Sequence, residues 1–507
     1  MRLRLESAVF LSGAALMGLE IAGSRVLAPA FGTSVFVWGA LITTFLASLA
    51  LGYAAGGRLA DARPDPRVLS NVLAGGALLL WLLFLRPEPL LDLAGRLPVP
   101  DRFRSLAAAL LLFSAPSVLM GAVTPFAVRL SARDVSSVGT SAGRLSAIST
   151  AGSILGTFAM TFFLLPALPL APILFGLGAT LAVSALLLLP RPGWLRTAAV
   201  LAAGVGAGTF YLVAPPEPSS PLPGGKVVLQ KETAYHRIRV VDQGWRRALY
   251  FDNRLQGFVP LAGGDNRERT YHDGFLLTLA LGPSRPSSVV TIGLGAGVTA
   301  GFLGRHLPEV ESVTIEIDPE VVRVAESHFG FRVDGNDRVL VGDGRRELAR
   351  AVDRTDVILE DAFFADSIPF HLMTRQFYEL CRGKLSANGA LAANFGGLLT
   401  GEGNALFWSA YRTMREVFPR VYVFCRELRE GKAVFAGPAI LVATMSPERR
   451  SRDEVQEAAE RLSRELGRPQ VAEWAAFLYD GEIRGEGLPV LTDAFSPTDA
   501  LQHFRRY

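Results

Sequence analysis

Seven stretches of about twenty apolar residues crowd the first 215 positions of this chain, and no other feature restricts its fold as strongly. They run over roughly 7–28, 33–56, 68–86, 105–128, 145–166, 169–190 and 196–214. A helix of about 20 apolar residues covers a hydrocarbon core of about 30 Å. The pattern predicts an α-helical membrane domain over 1–214, with about seven spans and the lipid bilayer as its partner. A cleaved leader does not account for the first stretch, because no small-residue cleavage site is followed by a polar region and 35–53 is apolar again.

Charge divides the chain in two. Residues 1–215 carry fifteen Arg, no Lys and eight acidic residues, whereas the remainder carries 36 basic and 39 acidic ones. The sequence pI of about 9.2 therefore reflects arginines in the loops between apolar helices, and nucleic acid is not needed as a partner to explain it. Cys381 and Cys425 are too few and too distant for a zinc site or a disulfide framework. The six His are dispersed, so no metal is expected. Within the first span, Glu20 and Arg25 stand about 140° apart around a helix and do not face each other. Glu20 is expected to meet another helix and Arg25 to reach the interface.

Ten arginines fall on the side of the N-terminus and five on the other, which places the N-terminus inside the cell. Seven spans then put everything after residue 215 outside. The segment Gly56-Gly57-Arg58-Leu59-Ala60-Asp61 resembles a cytoplasmic loop of major-facilitator transporters, but seven spans without a duplicate fall short of that fold.

Residues 215–225, Pro-Pro-Glu-Pro-Ser-Ser-Pro-Leu-Pro-Gly-Gly, read as an exposed linker. Over 226–285, short alternating runs at 237–242 and 248–251 separated by turn residues predict a small antiparallel β subdomain and its connection. From 286 to 507 strands alternate with helices, at 289–292, 313–315, 339–341, 357–359, 390–392 and 421–423, which predicts a doubly wound, parallel, Rossmann-like α/β domain.

Ligands of such sheets bind at the carboxyl ends of the strands, and four motifs fall there. Gly293-Leu294-Gly295-Ala296-Gly297 lies between a strand and a helix, where missing side chains let a ligand approach the backbone. Glu316-Ile317-Asp318 follows about 20 residues later and suits the hydroxyls of a ribose, since a carboxylate accepts two hydrogen bonds from a diol. Gly342-Asp343-Gly344 offers an acceptor for an adenine amino group, and Glu360-Asp361 ends another strand. Together they point to a nucleoside site, although any one of these acids can instead cap the helix that follows it. Asp493, in the tail, is expected in a structural turn.

With these motifs in their order, the second half resembles the spermidine synthase (polyamine aminopropyltransferase) family, and the whole chain resembles its membrane-fused bacterial form. Glu268-Arg269-Thr270-Tyr271-His272-Asp273 is similar to the family's Glu-x-x-Tyr-His-Glu, with Asp last. Thr374-Arg375-Gln376-Phe377-Tyr378-Glu379 is similar to the segment after its active-site loop. The resemblance implies a transferase that moves an aminopropyl group from decarboxylated S-adenosylmethionine to an amine such as putrescine, releasing methylthioadenosine, without a metal. It implies Asp361 as proton acceptor. It implies Gly293, Gly295, Gly297, Glu316, Asp318, Asp343, Gly344 and His236 around the nucleoside, His236 standing where the family has a Gln. Tyr271, His272 and Asp273, with Asp366, would bound the aminopropyl group and the amine. A homodimer and a cytoplasm-facing catalytic domain in a multi-pass cell-membrane protein are further implications, the last opposed by the arginine count. Four features depart from the family: Ala296 replaces an acid of the Gly-rich loop, His236 a Gln that contacts the nucleoside, Phe364 a second active-site Asp, and Ser367-Ile368-Pro369-Phe370-His371 a Pro-rich gate. They leave open intact S-adenosylmethionine as donor, methyl transfer to another acceptor, or a non-catalytic polyamine or nucleoside sensor or transporter partner.

Overall fold

The computed structural model describes the chain except residues 1, 33, 86, 133, 135–136, most of 190–223, 262–270, 364–367, 398–403, 426–436, 482–485 and 502–507. It divides into two compact units, Met1–Ser219 with Glu232–Ala234, and Ser220–Lys231 with Tyr235–Tyr507.

The first unit is helical. Five stretches are long and apolar enough to cross a membrane by length and composition: Arg2–Phe31, Val35–Ala62, Phe103–Ser131, Val138–Ala167 and Leu170–Leu188. The expected third stretch forms the helix Pro66–Leu85, whose apolar part, Pro66–Leu82, is shorter. The expected seventh stretch lies largely outside the described residues. Fully buried Leu19, Leu27, Leu41, Phe45, Phe113 and Phe126 form the centre of the bundle. Glu6 pairs with Arg144 at 2.7 Å, and Asp61 of the transporter-like segment pairs with Arg129 at 3.2 Å.

Small residues set the closest approach of these helices. A Cβ on Gly152 would fall on the carbonyl oxygen of Phe10, and one on Gly156 on that of Ala14. Gly152→Leu must therefore push Val138–Ala159 away from Arg2–Phe31, at about 1–3 kcal/mol for overpacking. We expect it to lower the melting temperature of the protein by about 5 °C. Gly139→Leu, where a Cβ meets nothing within 4 Å, should leave it unchanged. Equal melting of the two variants would contradict this packing.

The second unit begins with a four-stranded sheet, β1 (Lys226–Glu232), β2 (Arg237–Gln243), β3 (Arg246–Phe251) and β4 (Arg254–Pro260), in sequential order, with β2, β3 and β4 paired antiparallel. Alternation along β2 and β3 sends Ile238, Val240, Leu249 and Phe251 to one face, where they pack with Leu294, Ala296 and Val321.

A seven-stranded sheet follows: β5 (Ser288–Ile292), β6 (Glu311–Glu316), β7 (Asp337–Val341), β8 (Thr355–Glu360), β9 (Leu385–Gly397), β10 (Arg420–Phe424) and β11 (Gly437–Thr444), in the order β10-β11-β9-β8-β5-β6-β7. This corrects the expectation of a purely parallel sheet. β5 to β9 are parallel, but β11 inserts antiparallel between β9 and β10, pairing Ala392 with Val442 and Tyr422 with Val442 on its two sides. Its apolar run 439–443 buries on both faces like any central strand, so periodicity carries no trace of its direction. The order reverses at β5, flanked by β6 and β8, which opens a crevice beyond the carboxyl ends of β5 and β8.

Candidate active site

The two strands at the switch point are joined where they end, the Asp361 N–H donating to the Ile292 carbonyl oxygen at 2.8 Å. Gly293 stands beside this junction with φ +97°, and a Cβ there would overlap the Asp361 carbonyl group. Both the left-handed backbone and the close approach demand glycine. The loop continues through Gly295 and reaches Gly297, which starts the helix Val298–His306 at φ +72°. Among the described residues a Cβ on Gly295 would meet only the Gln256 carbonyl oxygen, at 3.6 Å, which leaves the backbone at the crest of the loop open to them. Gly293→Ala is expected to lower the stability of the second unit by about 2 kcal/mol or more, read as a lowered unfolding midpoint. Gly295→Ala has the space but retains backbone strain, and should cost less.

Glu316 ends β6 and clamps the loops on both sides of it. Its carboxylate accepts from the Leu294 N–H at 2.9 Å and the Asp318 N–H at 3.0 Å, while burial pushes its pKa up against those bonds. Asp318 is buried and caps the helix Pro319–Phe329 through the Glu320 N–H. Asp343 caps Gly344–Ala351 through the Arg346 N–H at 3.0 Å, and its other oxygen meets His371 Nε2 at 2.8 Å. Burial raises the Asp343 carboxyl, but the Arg346 N–H and His371 outweigh it and hold the pKa below the usual range. His236 is buried between β1 and β2 with its ring stacked on Phe251, centroids 4.5 Å apart.

Asp361 receives two side-chain hydrogen bonds, from Tyr271 Oη at 3.1 Å and from Asn394 Nδ2 at 3.0 Å. Burial pushes its pKa up to about 7 despite both donors. Tyr271, from the helix Tyr271–Phe275, has the Gln256 carbonyl oxygen of β4 as a second acceptor 3.3 Å from its Oη, so its single hydrogen serves either Asp361 or Gln256, and burial and Asp361 raise its pKa. Glu360 points to the opposite face of the sheet, where burial and the nearby Asp361 charge raise its pKa. It takes no part in the crevice.

Two expected substrate contacts are placed otherwise. Asp273 is 2% exposed and forms an ion pair with Arg468 Nη2 at 2.5 Å, so its carboxylate is committed to the tail of the domain. Helical geometry explains this: Asp273 lies two residues from Tyr271, about 200° around the helix. His272 bonds Thr299 Oγ1 at 2.7 Å, and burial, with Arg468 nearby, lowers its pKa to about 3, leaving a neutral ring. Asp366 and Phe364 lie outside the described residues, as do Glu268, Arg269 and Thr270. Asp493 is held by Arg345 through paired bonds of 2.7 and 2.8 Å, which, against some burial, lower its pKa to about 2. Among the described residues no His, Cys, Asp and Glu group converges as a metal site.

Sequence reading missed Asn394, the Gln256 carbonyl oxygen and the bond from His371 to Asp343. Each comes from a strand or turn brought in by the fold, with no local pattern to mark it.

The Rossmann-like sheet thus places a titratable carboxylate, Asp361, at its switch point. Similarity to known proteins gives the class. The chain is 32% identical to a polyamine aminopropyltransferase of Vibrio vulnificus over 286 residues, 54% of this chain and 91% of that protein. It is 23% identical to one of Neisseria meningitidis serogroup A over 240 residues, 46% and 87% of the two chains. Among solved structures, a spermidine synthase from Thermotoga maritima covers 49% of this chain and 84% of its own, at 20% identity and a TM-score of 0.38. A probable spermidine synthase from Corynebacterium glutamicum covers 54% and 99%, at 19% identity and a TM-score of 0.40. No family model matches. The chain belongs to the polyamine aminopropyltransferase family and is a transferase.

Proposed function

We propose that this protein is a membrane-anchored aminopropyltransferase that uses decarboxylated S-adenosylmethionine and an amine such as putrescine. The observation that carries the reading is Asp361 at the switch point, half-buried, bonded by Tyr271 and Asn394, with its pKa near 7.

The Gly293–Gly297 loop receives the nucleoside against open backbone, Glu316 and Asp318 lie toward the ribose, and Asp343 and Gly344 lie toward the adenine. Glu316 keeps unused lone pairs after accepting from Leu294 and Asp318, so it can still accept from a diol. His236 bounds the nucleoside, and Tyr271 bounds the amine. The bound sulfonium supplies an electrophilic carbon and a neutral thioether leaving group. The amine nitrogen forms a bond to that carbon as the carbon–sulfur bond breaks and its electron pair stays on sulfur. A primary ammonium has a pKa near 10, like lysine, so it must give up a proton before attack. Asp361 as carboxylate holds the cation and accepts that proton, while Tyr271 and Asn394 fix its orientation.

The sign of the pH dependence follows. The ionised form is needed and is lost as pH falls through about 7. Amine kcat/KM should drop about tenfold per pH unit below 7. A profile flat between pH 5 and 7 would exclude Asp361 as the base.

One observation favours a second reading. Ala296 is 3% exposed and packed against Ile238, Leu249 and Phe251, so no acid from this loop position holds a cationic donor tail. Methyl transfer from intact S-adenosylmethionine does not call for an acid at that position. Calorimetry on the full chain separates the two: tighter binding of methylthioadenosine supports aminopropyl transfer, and tighter binding of S-adenosylhomocysteine supports methyl transfer. Binding of neither overturns both.

The catalytic unit faces the cytoplasm in this account. Six crossings, by the five long apolar helices and Pro66–Leu85, would put this unit on the same side as the N-terminus, which the arginine count places inside. Reaction of a cysteine introduced at Arg254 with an impermeant thiol reagent in intact cells would contradict this sidedness.

A further inference from the structure

Asp493 stands in a tight turn of the tail, where Thr492 and Phe495 exchange main-chain hydrogen bonds of 2.9 and 3.1 Å. The turn is docked firmly on the second unit. Just before it, Leu491 is fully buried, its N–H donating to Thr413 Oγ1 at 2.9 Å and its carbonyl oxygen accepting from the Arg375 N–H at 2.8 Å. The Asp493 N–H donates to Gln376 Oε1 at 3.1 Å. So placed, the Asp493 carboxylate takes Arg345 with both oxygens, from Nη1 at 2.7 Å and Nη2 at 2.8 Å, and accepts from Thr374 Oγ1 at 2.7 Å. Two parallel charge-assisted bonds fix the direction of a guanidinium as well as its position.

That direction matters because Arg345 is the second residue of the helix Gly344–Ala351, whose start is capped by Asp343. The pKa of Arg345 is raised, chiefly by the bond to Asp493 and, against some burial, also by the charge of Asp343, so the guanidinium lies within electrostatic reach of Asp343. Among the described residues no side-chain bond joins the two. The other contacts of Arg345 Nη1 are the His371 carbonyl oxygen at 3.2 Å and Thr374 Oγ1 at 3.5 Å. One oxygen of Asp343 accepts from the Arg346 N–H and the other meets His371 Nε2, and each keeps a second lone pair.

We infer that Asp493 is a positioning residue that sets base selectivity: by holding Arg345 away from Asp343 it leaves that carboxylate free to accept from an amino group of the nucleobase. The inference rests on the placement of the adenine at Asp343 in the reading above. An arginine released from Asp493 turns its fork to Asp343, the other carboxylate that acts on it, and takes the lone pairs that the amino group needs.

The test titrates the full-length protein by calorimetry with two nucleosides, methylthioadenosine and its analogue with hydrogen in place of the 6-amino group. The unmodified protein should bind the amino compound about tenfold more tightly, the size of one hydrogen bond to a charged group. Asp493→Asn keeps the shape and loses the charge. It should abolish the preference, with the Kd of methylthioadenosine rising about tenfold and that of the analogue staying within about twofold. Adding Arg345→Leu removes the competing fork and should bring the Kd of methylthioadenosine back to within about threefold of the unmodified protein. A turn that served only to hold the tail would move both dissociation constants together, and equal weakening of the two nucleosides in Asp493→Asn would overturn the inference. So would an unchanged preference, or a double variant that binds no better than Asp493→Asn. These outcomes, in a protein that prefers the amino compound, leave the functional reading standing. An unmodified protein without that preference loses the adenine placement and this inference together, and one that binds neither nucleoside loses the functional reading as well.

Discussion

Replacing Asp361 by Asn lowers kcat about a thousandfold and leaves the Kd of methylthioadenosine within about threefold, if Asp361 is the proton acceptor. The substitution keeps the shape of the side chain and its position at the end of β8, where the main-chain bond to Ile292 persists. It removes the charge that holds the ammonium and the base that takes its proton. The same variant carries a stability prediction of opposite sign. The folded pKa of about 7 lies above the ordinary value of 3.8, so the folded protein binds the proton more tightly than the unfolded chain. Stability from this group is complete below about pH 4, declines as pH rises, and is lost above 7. Asp361→Asn should therefore melt higher than the unmodified protein at pH 8 and equally at pH 4. A variant that is inactive and also less stable at pH 8 would mark Asp361 as structural.

The second large effect lies at Asp273. Removing one partner of a buried ion pair leaves the other charge stranded, and Asp273→Ala should destabilise the second unit by about 3–5 kcal/mol. Arg468 makes two contacts to Asp273 Oδ1, from Nη2 at 2.5 Å and Nε at 3.2 Å, with side chains only 2% and 14% exposed. Asp273→Ala with Arg468→Leu should be less damaging than the sum of the single changes, because the stranded charge goes with its partner. Denaturant unfolding of the four proteins measures that coupling. Loss of activity in Asp273→Ala with unchanged stability would instead return Asp273 to the substrate side.

The difference between these residues shows what the chain discloses locally. Gly293, Glu316, Asp343 and Asp361 each close a short apolar strand, so strand period and end position suffice to align them along one edge of a sheet. Asp273 looked equivalent because it adjoins Tyr271 and His272, but its partner is 195 residues away and no local pattern names it. Asn394 is one polar residue in the long β9 run, and only the alternation of faces beside β8 brings it to Asp361. β11 is not among the strands read from the sequence, and its direction was hidden for a similar reason, since a strand buried on both faces reads the same either way. His371 was visible as a histidine and not as the partner of Asp343, for the intervening turn has no period.

The most direct test of the account is a single incubation of the full-length protein with putrescine and decarboxylated S-adenosylmethionine, reading the nucleoside released and the mass of the amine. The account predicts methylthioadenosine and an aminopropylated amine in equal amounts, both abolished in Asp361→Asn. A protein that binds methylthioadenosine yet forms no aminopropylated product from this pair would contradict it.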